Sequence, residues 1–366
     1  MKSLISAAIL STVALTNAAL PSKVYASSTV NTHISSHSQY DFSSLADGIR
    51  IVNQLKMGIS PSEQAWQQLF SHNAYQLVFS ISDLTQEKLK NRFEIAFLPM
   101  KAVHFDALNA FEKQEVKHLR TALYNLDWIN EYKNMLTGSD AVERSLALAN
   151  QWIPKAFQSK QATQYVFGFF GQNAHASAVG VVLDPYLGYL SDLHAPFELG
   201  AHELHHNLRA KIKLAKPLDR GNGFDRAIDH LQHEGVANLI DKSRFLEAQS
   251  PFSDEIKNYF ASELKKAPNY IIALNKVMSE AASDHENADF MTFQKAGLPL
   301  WGHVVGWYMT QTIVKADMKE QLVESMVAPR AFPHLYNQAV ERLGTQQPQF
   351  SQAVVDVYRQ RASLSL

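Results

Sequence analysis

The chain has 366 residues, 46% of them hydrophobic, and 34 Lys and Arg against 35 Asp and Glu give a formal charge of −1. That length and apolar content suit one large domain or two lobes, and the near-neutral charge leaves no electrostatic footprint for nucleic acid or an anionic membrane. Cysteine is absent, which excludes disulfides, cysteine lipidation and thiolate metal sites, so any metal must be held by histidine and carboxylate.

Lys2 precedes an uncharged, mostly apolar run from Leu4 to Leu20, and Val24-Tyr25-Ala26 places small residues where a signal peptidase reads. Residues 1–26 are therefore predicted to be a signal peptide, with Ala18 as a second cleavage position. The product is expected to be exported, periplasmic or secreted, with no stable membrane span after cleavage, because Ala, Ser and Thr make the run weakly hydrophobic for an anchor. Residues 27–44, rich in Ser, Thr, His and Asn, read as a flexible lead-in in which His33 and His37 are solvated.

Residues 45–160 read as a helical N-terminal lobe. Ser60-Pro61-Ser62-Glu63 marks a helix start, with Trp66, Leu69 and Phe70 on its buried side. Val116, Leu119, Leu123 and Leu126 repeat at helical spacing. Asp140 and Glu143 could form a capping box for a helix that turns Val142, Leu146, Ala149 and Ile153 inward. His104, Phe105 and His118 have no partner pattern and are assigned to packing or surface.

Residues 161–366 are expected to form the catalytic region. Tyr165 to Phe170 and Ala178 to Leu183 are short β-branched or aromatic runs, separated by a loop long enough for a hairpin and ended by Asp184-Pro185. The edge of such a sheet could sit beside a metal site and accept an extended peptide as a further strand, or the hairpin could be purely structural.

The next stretch, Gly200-Ala-His-Glu-Leu-His-His-Asn207, contains His-Glu-x-x-His. On a helix, His202 and His206 stack one turn apart on one face, where both can ligate a single Zn²⁺, and Glu203 lies where its carboxylate can reach a metal-bound water. Leu204, Leu208 and Ile212 form a separate apolar stripe, and Asp192 and Pro196 stand where a helix start is expected. A second helix is expected from Phe224 to Phe245, after the Gly221-Asn222-Gly223 turn, with His230, Glu234, Asn238 and Asp241 on one polar stripe. Glu234 is the candidate third ligand, with His230 and His233 as competitors, because a catalytic zinc takes three protein ligands and keeps an open position. Asn238 or Asp241 could accept the Nδ1 proton of a ligand histidine, with His230 on the same stripe.

Ala296 to Val314 carries no charged residue but is interrupted by Pro299, Gly302, His303, Gly306 and Gln311, so it is expected to be a buried core helix rather than a span. Gly302 and Gly306 would admit another helix closely. His303 and Tyr308 are candidates to hydrogen-bond the oxyanion of a transition state. From Asp317 onward the chain reads as amphipathic helix, with Leu322, Met326, Val354 and Tyr358 inward.

Gly200-Ala-His-Glu-Leu-His-His206 together with His233-Glu-Gly-Val-Ala-Asn-Leu-Ile-Asp241 resembles the thermolysin-like, gluzincin-type zinc metallopeptidases, and more closely a group of predicted bacterial zinc-dependent peptidases. The resemblance covers Tyr165 to Lys242 and extends to Gly302–Met309. It departs from the thermolysin pattern at Asn238, where an Asp would stand one turn after the ligand Glu, and it lacks the Gly-Ala-Met-Glu-Asn sequence of aminopeptidases. The resemblance implies a mainly α (α+β) fold with a zincin-like core, a small sheet or hairpin before the His-Glu helix, and surrounding helices. The expected activity is endopeptidase hydrolysis of peptide or protein substrates by a zinc-activated water, with Glu203 as general base. A zinc hydrolase acting on a cell-wall or small-molecule amide, and a non-catalytic exported zinc-containing binding protein, are the two rival classes.

Overall fold

A computed structural model of the chain describes residues 39–250, 252 and 254–363. The predicted signal peptide, and the lead-in up to residue 38, lie outside them. The chain divides into two compact units, one running to Val142 and including Ala162–Tyr189, the other comprising Glu143–Gln161 and Leu190–Leu366.

The first unit holds a four-stranded sheet and the helices α1 (Ser43–Lys56), α2 (Glu63–Phe70), α3 (Asn73–Ile81), α4 (Gln86–Phe97), α5 (Ala110–Ala122) and α6 (Asp127–Thr137). Side-chain oxygens start three of them. Ser62 accepts from the Ala65 N–H at the head of α2, Thr85 from that of Lys88, and Asn109 forms a capping box with Glu112. Trp66, Leu69 and Phe70 are buried as their spacing predicts. The run from Val116 to Leu126 is not one helix, since α5 ends at Ala122 and Leu126 is the residue before α6.

The strands are β1 (Tyr40–Asp41), β2 (Tyr165–Phe167), β3 (Ala174–Ser177) and β4 (Gly180–Leu183), in the order β1-β2-β4-β3. The expected hairpin between the two apolar runs is corrected here: β2 and β4 are parallel, and the antiparallel partner of β4 is β3. Ala-His-Ala-Ser carries neither a β-branched nor an aromatic run, so β3 was read as loop. β1 and the start of α1 also fall inside the segment read as a lead-in. His118, assigned to packing or surface, is buried and bonds Asp184 at 2.8 Å; the same Asp184 oxygen accepts the N–H groups of Tyr186 and Leu187 and so starts the next helix.

That chain crosses between the units in α7 (Ala141–Asn150) and α8 (Pro185–His194). The second unit is helical: α9 (Glu198–Arg209), α10 (Gly223–Phe245), α11 (Asp254–Ala281), α12 (Phe290–Gly297), α13 (His303–Lys315), α14 (Lys319–Glu324), α15 (Phe332–Leu343) and α16 (Gln352–Ser363). The molecule is thus mainly α with one small sheet, as expected. Leu322, Met326, Val354 and Tyr358 point inward as their spacing predicts. Among the described residues no helix is long and apolar enough to cross a membrane. The uncharged run from Ala296 to Val314 is broken rather than continuous, because Leu300, Trp301 and Gly302 all take positive φ between α12 and α13.

α10 and α13 pack backbone to backbone. A Cβ on Gly235 would collide with the Gly306 carbonyl, and one on Gly306 with the Leu231 carbonyl, while Thr310 Oγ1 donates to the Gly235 carbonyl at 2.8 Å. Gly306 therefore serves the close approach that its spacing suggested, whereas Gly302 serves as the left-handed residue before α13. The variant Gly306→Ala is expected to lose about 1–3 kcal/mol of stability, since neither backbone can retreat without repacking. Urea unfolding measures this, and an unchanged midpoint would contradict the contact.

Candidate metal centre

α9 begins where Phe197, at φ 68°, gives its N–H to Asp192 Oδ1 at 2.8 Å. Leu204, Leu208 and Ile212 are buried as their spacing predicts, but the helix is not one-sided: every residue from Ala201 to Leu208 is buried. Helix α10 starts at Asn222, whose side-chain oxygen accepts the N–H groups of Phe224 and Asp225, and it supplies the second wall of the site. His202, His206 and Glu234 are brought together from these two helices, with one donor atom of each within 4.8 Å of the others.

The spacing fits a tetrahedral ion. Ligands about 2.0–2.1 Å from a tetrahedral zinc lie roughly 3.3 Å from one another. Here His202 Nε2 and His206 Nε2 are 3.1 Å apart, and His206 Nε2 and Glu234 Oε2 are 3.5 Å apart. Asp241 Oδ1 lies 2.9 Å from His202 Nδ1, and as an acceptor it fixes the Nδ1–H tautomer and leaves the Nε2 lone pair facing the cluster. Of the two positions expected to do this, the structure selects Asp241; Asn238 instead donates to the His303 carbonyl at 3.1 Å. The variant Asp241→Asn is expected to weaken zinc binding about 10–100-fold. Competition with a zinc-chelating dye reads the affinity, and an undiminished value would deny Asp241 that role.

Glu203 is fully buried beside this cluster, and neither of its oxygens has a hydrogen-bond partner among the described residues. Burial, and then the neighbouring Glu234, push its carboxyl well above the usual range. Burial likewise raises Glu234, although His303, His202 and Lys242 oppose it, and burial and Arg209 push His206 down to about 3. Neutral imidazoles with free lone pairs are what a metal requires. Lys242, which the spacing did not single out, is buried with its Nζ 2.5 Å from Asp241 Oδ2. Burial alone would raise Asp241, but the Lys242 ammonium and His202 hold it well below the usual carboxylate range. Three carboxylates, Glu203, Glu234 and Asp241, stand here beside the one ammonium of Lys242, an acidic shell that a divalent cation would offset while giving Glu234 the partner its oxygens lack.

The remaining candidates separate. His303, the first residue of α13, places Nδ1 3.2 Å from Glu234 Oε2, the same oxygen that faces His206. Tyr308 lies five residues on, about 140° further around the helix. Its phenol lies near that of Tyr336 on α15, and burial raises its pKa above the usual range. His230, on the expected stripe, stacks on Phe290 with ring centroids 5.1 Å apart and lies 5.9 Å from Trp301, and it takes an aromatic packing role rather than one beside a ligand. His233 sets its ring 4.3 Å from that of His206 at 68° but does not join the three-ligand cluster.

A family model described as "Putative zinc dependent peptidase (DUF5700)" matches residues 66–345, a span that includes all of these residues. No curated protein and no solved structure matches the chain.

Proposed function

We propose, from the premise that the chain belongs to the DUF5700 zinc dependent peptidase family, that it is an exported endopeptidase of gluzincin type, with His202, His206 and Glu234 as the zinc ligands. The observation that carries this reading is the pairing of a three-donor cluster with a second buried glutamate, Glu203, that is not one of the donors. Bound zinc supplies a Lewis acid that polarises the scissile carbonyl and acidifies the attacking water. Glu203, buried beside the donors, would take the proton from the attacking water and deliver it to the leaving nitrogen. Asp241 orients His202 through its Nδ1, and His303 stands 3.2 Å from Glu234 Oε2, so both bear on the chemistry through the ligands. A structural clamp of two helices would have no use for a buried carboxylate outside the ligand set, which weighs against the binding-protein class.

The test uses the purified protein lacking residues 1–26, with metal content measured beside cleavage of a mixed peptide pool. About one zinc per chain and cleavage abolished by chelation are expected. A zinc-loaded protein that leaves the pool intact would move the reading to another amide, and a protein that takes up no zinc would end it.

A further inference from the structure

A pocket of the second unit lies away from the metal centre. Its volume is about 290 Å³, and it is walled by the segment after α9, the turn before α15, and the last turns of α16. At roughly 30 Å³ for each water-sized group, it has room for about ten non-hydrogen atoms. Its walls are predominantly apolar, formed by alanines, Pro329, Val355 and Tyr358. Apart from the phenol of Tyr358, the ionisable side chains of the lining are basic: Lys216, Arg330, His334 and Arg359.

These cations differ in how they are paired. Arg330 is buried and directs Nε and Nη2 to the two oxygens of Asp225 at 2.9 and 2.6 Å, with Nη2 also 2.9 Å from the Pro217 carbonyl. Arg359 lies 3.5 Å from Asp356. Lys216 has no ion pair among the described residues, and it stands at the pocket wall with no carboxylate lining the same cavity. An ammonium without an ion-pair partner among the described residues, above an apolar hollow, matches a monoanion with an apolar body. A phosphate would demand several free donors, and Arg330 already directs its own to Asp225 and a carbonyl.

We propose that this pocket is a binding site for a small apolar carboxylate, with the chain seated among the alanines and the carboxylate paired to Lys216. The site is distinct from the metal centre: Asp225, behind Arg330, precedes Glu234 by nine residues, about 13 Å along α10.

Octanoate, with ten non-hydrogen atoms, is the probe, titrated calorimetrically into the zinc-loaded protein beside octylammonium, which has nearly the same chain and the opposite charge. Saturable binding of one octanoate per chain is expected, with no binding of octylammonium. Lys216→Ala should weaken octanoate about tenfold. Ala362 is exposed at the pocket wall, so Ala362→Trp fills the hollow from the solvent side and should abolish binding. Octanoate that still binds Ala362→Trp would be sitting elsewhere, on the zinc for instance, and would overturn the proposal. Equal binding of octylammonium, or no saturable binding of octanoate, would overturn it as well.

Discussion

Replacing Glu203 by Gln is expected to leave about one zinc per chain and to lower peptide hydrolysis on the order of 10²–10⁴-fold, the usual contribution of a positioned general base. Gln has the shape of Glu, so the fully buried site need not rearrange, and Glu203 is not one of the three clustered donors. What is lost is the capacity to accept a proton. The same substitution removes a buried carboxylate that has no hydrogen-bond partner and that stands against the charge of Glu234. The metal-free variant should therefore be at least as stable as the metal-free parent, while being far less active. Stability and activity moving in opposite directions is the signature of a group kept for chemistry. Zinc content by elemental analysis, thermal unfolding and peptide turnover together decide the matter. Loss of zinc along with activity would make Glu203 a ligand, and full activity would remove it from the mechanism.

Local pattern made part of this site legible and tertiary packing hid the rest. His202, Glu203 and His206 lie within one and a half turns of a helix, so helical geometry alone places them. Glu234 was reachable because it shares a stripe with Asp241 on a helix whose bounds, Gly223–Phe245, follow from Asn222 and the preceding glycine turn. No periodicity reveals that the Nδ1 of His303, a candidate for the oxyanion, stands 3.2 Å from Glu234 Oε2. Lys242 was missed because a lysine on a helix is ordinarily solvated, and its burial depends on Asp241 and the acidic cluster beyond. Pro299 and Gly302 interrupt the uncharged run, but Leu300 and Trp301 adopt left-handed backbone that propensity assigns to glycine or asparagine, so the form of the break between α12 and α13 is not legible there. The sheet was misjudged for the opposite reason. β3 has small and polar residues in a fully packed place, where context overrides β-propensity.

Glu234→Ala should separate the two halves of the metal argument. Apparent binding free energies of roughly 10–16 kcal/mol for a four-ligand zinc imply about 3–4 kcal/mol for each ligand. Removing Glu234 should thus weaken zinc on the order of 10²–10³-fold, at 1.4 kcal/mol for each tenfold. In the metal-free protein the sign reverses. Glu234 is buried, its oxygens make no hydrogen bond, and burial raises its carboxyl against the pull of His303, His202 and Lys242. Its removal relieves that desolvation, so the metal-free variant should melt no lower than the metal-free parent, apart from the cost of the cavity left behind. Zinc, by contrast, should raise the melting temperature of the parent steeply and that of the variant little, because stabilisation by a ligand follows its concentration relative to its dissociation constant. Calorimetric unfolding with and without zinc gives all four values. If zinc stabilised both proteins equally, Glu234 would not be a ligand, and the third position would pass to another side chain of the cluster; His233, with its ring 4.3 Å from that of His206, is the nearest substitute on α10.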